Sequence, residues 1–424
     1  MTRVLPCLFL TIGVQIAYAQ RDCRHLEYQQ QMMASHPELA AAYNTVERGT
    51  RAQLVQSPTG TPGGNGDAGG TIPPVITIPV VVHVLYNNGA QNISDAQVQS
   101  QVNELTTDYR GLNADRSKIP SYFAGLAADV GIQFALAKID PKGRSTSGIV
   151  RKWTSVLSFT YDDRAKSSAL GGDDPWDADS YLNIWVCNTV SGLQGYSSLP
   201  GGPKDKDGVV ISTSAFGTLH VSGPFNHGRT AVHEIGHWLN LRHIWGDAPC
   251  GDDWVADTPP QQAASSGCPS GERLTCGATA HGDMYMNYMD FTDDACMFMF
   301  TAGQRDRMRA LFAPGGVRYT LLSSTALTGT PTGGPEEAPF HMPEGFSVAL
   351  YPNPAASEIY VRLDGSVECT GKTVCIYNRL GQLLYSNVMT QQQQRIDISR
   401  WDNGIYFVKI NGLAGKAMTK FLKQ

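Results

Sequence analysis

The sequence predicts an α/β (α+β) domain built on a mixed sheet, followed by a small all-β sandwich of immunoglobulin-like character. Three observations carry this. Two stretches rich in Gly and Pro, Thr59 to Pro74 and Thr328 to Gly345, punctuate the 424-residue chain as linkers. Between them β-branched runs alternate with helical periodicity, and after them only short strand-like runs remain.

The N-terminus, MTRVLPCLFLTIGVQIAYAQ, places Arg3 before an apolar stretch from Val4 to Ile16 and the small-x-small pattern Ala17-Tyr18-Ala19. It reads as a signal peptide, residues 1–19, and export makes disulfides permissible. A leader over 20–50 and a linker over 51–74 follow. The main domain, 75–327, opens with VITIPVVVHVLY, a strand. SDAQVQSQVNELTTDY then reads as a helix whose Ser94 and Gln97 form a capping box. IQFALAKI, YLNIWVCN and GVVIST read as further strands, and the stretch after Gly228 as a second long helix. A linker over 328–345 leads to the terminal module, 346–424. There FSVALYPNP, EIYVRLDG, KTVCIYNRLGQLLYSN, RIDISRWDNGIYFVKING and KAMTKFLK are short strands set apart by turn residues.

With 42% apolar and 17% charged residues a sizeable core is expected. A formal charge of -5 supplies no basic field for nucleic acid phosphates. No stretch approaches the roughly 18 apolar residues of a spanning helix, so no integral membrane segment is expected in the mature chain. Cys250, Cys268, Cys276 and Cys296 cluster as two staples would.

The chemistry concentrates in HEIGHWLNLRH. Four residues of α-helix make 400°, so His233 and His237 leave one face a turn apart and can direct imidazole nitrogens at one Zn²⁺. Glu234, beside them, is placed to act on water as a general base. His243 follows too far along to share that face unless the helix ends and the chain turns sharply. Asn240 is the expected hinge, because Asn tolerates positive φ almost as well as Gly. Asp247, Asp252, Asp253 and Asp257 are the other candidates for third ligand. GDDWVADT also offers the closely spaced oxygen ligands that Ca²⁺ favours, with Asp253, Asp257 and Thr258 as candidates; the alternative is a solvated acidic loop.

HEIGHWLNLRH continuing into IWGD, together with LQGYSSLPGG, CGDDWVADTP and MNYMDFTDDACMFMFTAGQRDRM, resembles the pappalysin-like (cytophagalysin) metzincin zinc metalloproteases over about Ile76 to Phe312. The resemblance implies a mixed five-stranded sheet with a zinc helix, bound zinc and calcium, and peptide or protein substrates. It implies an edge strand at Leu193 to Gly202, including Gly195 and Tyr196, that binds substrate backbone by strand addition. It makes Met289 the methionine of the turn beneath the ligands and pairs Cys250 with Cys276 and Cys268 with Cys296. Thr301 and Gln304 form a capping box for the last helix. Asp294 matches a position that, in arginine-preferring relatives, lies at the floor of the pocket for the residue after the scissile bond; a calcium ligand or solvated turn is the alternative. One departure is Phe291, where relatives often carry a Tyr that donates to the tetrahedral intermediate; Tyr288 and Tyr196 are candidate substitutes.

The leader holds one cysteine, Cys23, flanked by Arg21 and Arg24, which favour its thiolate, and by Asp22, which offsets them. A latent precursor is expected, with Cys23 on the open zinc position; a disulfide to Cys187 is the alternative. The run NTVERGTRAQ reads as flexible, and self-processing at Thr50–Arg51 is expected in preference to Glu47–Arg48. YPNP, DNGIYFVKI and the closing KAMTKFLK resemble the C-terminal sorting domain of the type IX secretion system, which implies passage across the outer membrane to the surface or medium; a substrate-binding β-sandwich is the rival. For the whole chain, the rival to a zymogen of a zinc endopeptidase that prefers Arg or Lys after the cut is a non-catalytic, zinc-containing peptide-binding protein.

Overall fold

In the computed structural model the described residues are 22–56, 72–277, 281–332, 347–364, 369, 371–379, 382–411 and 417–424. The expected signal peptide lies outside them, as do 57–71 and 333–345 of the two linkers and Phe346. The chain divides into two units, Met1–Pro335 and Glu336–Gln424.

The first unit begins with β1 (Asp22–Cys23) and the helices α1 (His25–Ser35) and α2 (Glu38–Gln56). There follow β2 (Ile76–Tyr86), α3 (Asp95–Tyr109), the short α4 (Ser121–Ala124), β3 (Ile132–Leu136), β4 (Ile149–Trp153), β5 (Leu182–Cys187), β6 (Leu193–Ser197) and β7 (Val209–Ser212). The helices α5 (Arg229–Trp238) and α6 (Ala302–Ala310) complete it. β2 is hydrophobic nearly throughout because it lies mid-sheet with both faces covered. Ile78, Val80, Val82 and Val84 join the main core with Val98, Val102, Leu105 and Tyr109 of α3 and Ala231, Val232 and Ile235 of α5. Leu85 faces the other way, with Trp185, Tyr196 and Val210.

The sheet runs β1-β6-β7-β5-β2-β3, with β4 also on β2, and every pairing is parallel except β6 with β7. It therefore has seven strands rather than five. Two causes account for the difference: the leader contributes β1, and one position beside the long β2 is filled by β3 along Ile76 to Val80 and then by β4 along Val82 to Tyr86.

Two local expectations change. Ser94 accepts from the Gln97 amide at 3.2 Å, but the Gln97 side chain donates to the Phe216 carbonyl, so α3 has half a capping box; α6 has the full one, Thr301 with Gln304. The run NTVERGTRAQ is not flexible. It belongs to α2, whose Leu39, Val46, Glu47 and Thr50 are buried along one stripe. The expected linker start at Arg51 therefore falls inside a helix.

The second unit is all β: β8 (Ser347–Tyr351), β9 (Glu358–Asp364), β10 (Thr373–Tyr377), β11 (Leu383–Val388), β12 (Gln393–Asp397), β13 (Gly404–Asn411) and β14 (Ala417–Lys423). They form two antiparallel sheets, β11-β10-β13-β14 and β12-β9-β8. Ile359 and Val361 from one sheet and Val374, Val408 and Phe421 from the other share a single core. Among the described residues no helix is long and apolar enough to cross a membrane.

Candidate metal centre

All ten residues of α5 are buried, and the helix is held at both ends. At its start the chain enters through Gly228, φ 71°. Arg229 then extends into a cluster of carboxylates: Nε donates to Asp108 at 3.1 Å, Nη1 to Asp115 at 2.6 Å, and Glu104 lies 3.6 Å away. A cation in the first helical turn opposes the helix dipole; here the carboxylates outweigh it. Burial, opposed in part by Arg229, raises the Asp108 carboxyl to about 6. Burial and neighbouring Asp108 raise Glu104 to about 7. Sequence reasoning missed Arg229, although a basic first-turn residue at an otherwise apolar helix start was a usable signal.

At its other end α5 stops where Asn240 takes φ 72°, and the chain folds back so that the Leu241 amide donates to the Gly236 carbonyl at 2.9 Å. That reversal carries His243 onto His233 and His237. The Nε2 atom of His237 lies 3.1 Å from Nε2 of His233 and 3.2 Å from that of His243. Each Nδ1 faces an oxygen that can only accept: the Tyr288 carbonyl at 2.7 Å for His233, the Leu241 carbonyl at 2.9 Å for His237, the Asp247 carboxylate at 2.5 Å for His243. Each Nδ1 is therefore a donor, which turns the Nε2 atom of each ring toward the other two. Burial and then the surrounding imidazoles of His25, His243 and His233 hold His237 neutral, well below its usual range.

In their neutral form three such nitrogens offer their lone pairs to one cation. The separations match the edge of a tetrahedron with metal–nitrogen bonds of about 2.05 Å, roughly 3.3 Å, and the outer hydrogen bonds are those that orient zinc-binding histidines. Cys23 completes the group: its Sγ is 3.6 Å from His237 Nε2, and the four ligand atoms lie within 4.8 Å of one another. The residues present fit a tetrahedral zinc with one thiolate. Asp247 stands behind His243, on its Nδ1 and away from the converging Nε2 atoms, and Asp252 accepts the Trp254 amide in a local turn.

Met289 lies directly beneath. A Cβ on Gly236 would stand 2.5 Å from its sulfur, so Gly at that position lets the thioether pack between the turns that carry His233 and His237. Glu234 lies under the edge strand, where a Cβ on Gly195 would meet its Cγ at 2.9 Å. Cys23 of β1 is opposite Gly195 in register, so the leader adds a strand to β6. His25 stacks on His237 with centroids 3.9 Å apart, and burial, followed by His243, lowers it to about 3.

The two disulfides are Cys250–Cys276 and Cys268–Cys296. Cys23 and Cys187 are not joined. Phe291 packs edge-on against His243 and Trp245, with centroids 4.9 Å from each. Neither Tyr substitute reaches the histidines: the Tyr288 ring packs on Phe300 with its hydroxyl toward Asp108, and the Tyr196 ring lies in the cluster on the far face of the sheet. Asp294 accepts the His227 and Arg229 amides at 2.9 and 3.1 Å, which anchors the start of α5. The three calcium candidates divide. Thr258 donates to Asp253 at 2.9 Å, whereas Asp257 accepts from Thr301 and the Gly303 amide at the start of α6.

Residues 167–313 match the family model described as pregnancy-associated plasma protein-A, and 349–424 match the secretion system C-terminal sorting domain. Mature mirolysin of Tannerella forsythia, solved with a cleaved peptide, is 48% identical with a TM-score of 0.59, covering 60% of this chain and 98% of its own. A promirolysin mutant from the same organism is 42% identical with a TM-score of 0.65, covering 73% and 99%. An extracellular metalloprotease of Pyricularia oryzae is 32% identical over 251 residues, 56% of this chain and 75% of that protein. The enzyme is thus a metalloprotease whose sorting domain directs type IX export to the cell surface or beyond. The chain belongs to the pappalysin-like family of secreted metalloproteases.

Proposed function

We propose that this metalloprotease is a zinc endopeptidase, made as a latent precursor, in which His233, His237 and His243 hold the ion from the helix α5 and the turn after it. The observation that carries the reading is the convergence of three Nε2 atoms whose partner nitrogens are each committed to an oxygen. Zinc, when bound, supplies Lewis-acid polarisation of the scissile carbonyl and acidifies water. Glu234 receives the proton that water loses and returns it to the leaving amine. β6 holds the substrate backbone by strand addition, with Gly195 kept small so that the chain passes close over Glu234. Phe291 brings no hydroxyl to this process. Loss of one such donor costs about 10²- to 10³-fold in known cases, so the reaction remains within reach.

In the precursor, β1 occupies that same edge and Cys23 takes the position the reacting groups need. Release of the leader opens it. Cleavage at Thr50–Arg51 requires α2 to unwind first, because a protease cleft reads extended backbone and Thr50 is buried within the helix. Opening of α2 is therefore the step that limits self-processing in this reading.

Preference for Arg or Lys after the cut rests on Asp294, a buried carboxylate in the segment after Met289. Calcium rests on Asp253, whose carboxyl burial pushes up to about 7, so that a nearby cation would stabilise its charged form. The sandwich, which we read as immunoglobulin-like, serves the type IX machinery, and the boundaries proposed are 1–19 for the signal and 346–424 for the sorting domain. Digestion of a random peptide library by the processed enzyme, with and without a zinc chelator, tests the central reading. Cleavage that is unchanged by removal of bound metal would overturn it.

A further inference from the structure

The leader packs two side chains of α1 on the sheet face away from the histidines, Met32 at the margin and Tyr28 inside. Tyr28 of α1 is only 2% exposed, and it enters a well walled by Trp185, Leu193, Tyr196 and Ala165. Its ring packs tilted against Tyr196 at 5.0 Å, and its hydroxyl donates to Asp163 Oδ2 at 2.8 Å. The Lys166 ammonium stands 5.1 Å from the ring centroid.

The polar floor of this well is assembled without the leader. Lys166 Nζ is 2.9 Å from Asp163 Oδ1 and donates to the Lys206 carbonyl at 2.8 Å. It also lies 5.0 and 5.7 Å from the rings of Tyr196 and Trp185. Asp163 adopts φ 60° as it turns toward the lysine. A plug that only anchors a leader needs apolar walls. Here a buried ion pair, costly to desolvate, presents a carboxylate oxygen at the depth of a phenol hydroxyl and a cation beside the ring. Burial and then the charge of Asp163 keep the Tyr28 phenol protonated, well above its ordinary range, so it remains a donor.

We infer that the Tyr28 socket is a phenol-binding subsite of the active enzyme, filled by the leader in the precursor and by a tyrosine side chain of a protein substrate after the leader departs. This rests on the latency reading above. Because the walls and floor belong to β5, β6 and the 160s segment, removal of α1 leaves the recognition chemistry in place. A Phe in the socket leaves the Asp163 oxygen without its donor, which sets tyrosine apart from other aromatics.

The test uses processed enzyme and quenched fluorescent peptides of one sequence, with Tyr placed at one position at a time on either side of the scissile bond and a Phe twin for each. At one position Tyr should raise kcat/KM roughly tenfold over Phe, carried by KM. In Asp163→Ala that Tyr-to-Phe ratio should fall to about one. Equal Tyr and Phe values at every position in the wild-type enzyme would overturn the inference without recourse to any variant, and so would a Tyr advantage that survives Asp163→Ala. The latency reading has a separate readout, the rise in activity toward a Tyr-free peptide on processing, and its failure leaves the ratio measurable.

Discussion

Two helices meet at Asn240, where the chain turns back to gather the three histidines, and they are held in opposite ways. Every residue of α5 is buried, its start is clamped by Arg229 among carboxylates, its two histidines are tied from behind by backbone carbonyls, and His243 after it is tied by Asp247. The leader helix α2 buries one stripe and is docked by few polar contacts: the ion pair of Glu47 with Arg307, and Thr50 accepting from the Asn240 side chain at 3.2 Å. Arg307 in turn donates to the Asn240 carbonyl at 2.7 Å, so both helices converge on one residue. The contrast shows how a site can be rigid yet covered. In the proposed precursor the covering element needs enough buried contact to dock, but little enough to come away.

The largest effects are expected at α5 and the turn after it. Glu234→Ala should lower peptide hydrolysis by about 10²- to 10⁴-fold with zinc still bound, because it removes proton transfer and no ligand. His243→Ala should instead lose metal, measured by elemental analysis; full zinc content there would remove His243 from the ligand set. On the leader side, Cys23→Ala should give precursor that cleaves peptide before processing, with activity raised at least about tenfold over intact precursor. Equal silence in the two would mean that Cys23 is not what blocks the site.

A smaller effect sharpens the point about release. Gly49 lies inside α2 with open space where a Cβ would sit and no left-handed backbone requirement. Gly49→Ala should stabilise α2 by up to about 1 kcal/mol and slow self-processing by up to about fivefold. Unchanged processing kinetics would show that α2 does not have to unwind. The smallest effect concerns the clamp. The raised Glu104 pKa means that its contribution to stability is full below about 4.5 and is lost as pH climbs through about 7. Glu104→Gln should flatten that loss, with Tm near neutral at pH 5 and higher by about 1–2 °C at pH 8 after discounting for the partly exposed side chain. A larger loss of Tm at pH 8 than at pH 5 would reverse the sign.

The convergence of the three histidines, the reversal at Asn240 and the place of Met289 against Gly236 were legible because each depends on local spacing or on one backbone conformation. The strands were legible for a similar reason, since alternation and β-branched runs declare themselves within a few residues. α2 was not, because its apolar stripe is thin and its buried Glu47 and Thr50 look like surface residues until Arg307 and Asn240 are brought to them. Asp257 was grouped with Asp253 by proximity in sequence, yet it caps α6, and Asp294 holds the start of α5, because each follows the nearest bare amides in space.

By itself the sequence determined the two-unit plan, the spacing that brings three histidines together, the cysteine pairs through their family pattern, and the sorting module. These are properties of neighbours along the chain or of motifs that keep their order. Only the tertiary structure decided that β1 adds to β6, that Asp247 stands behind His243, that Arg229 gathers three carboxylates, and that Tyr28 fills a socket floored by Asp163 and Lys166. Each joins residues far apart in the chain, and their partnership depends on burial and direction, which a list of residue types does not contain.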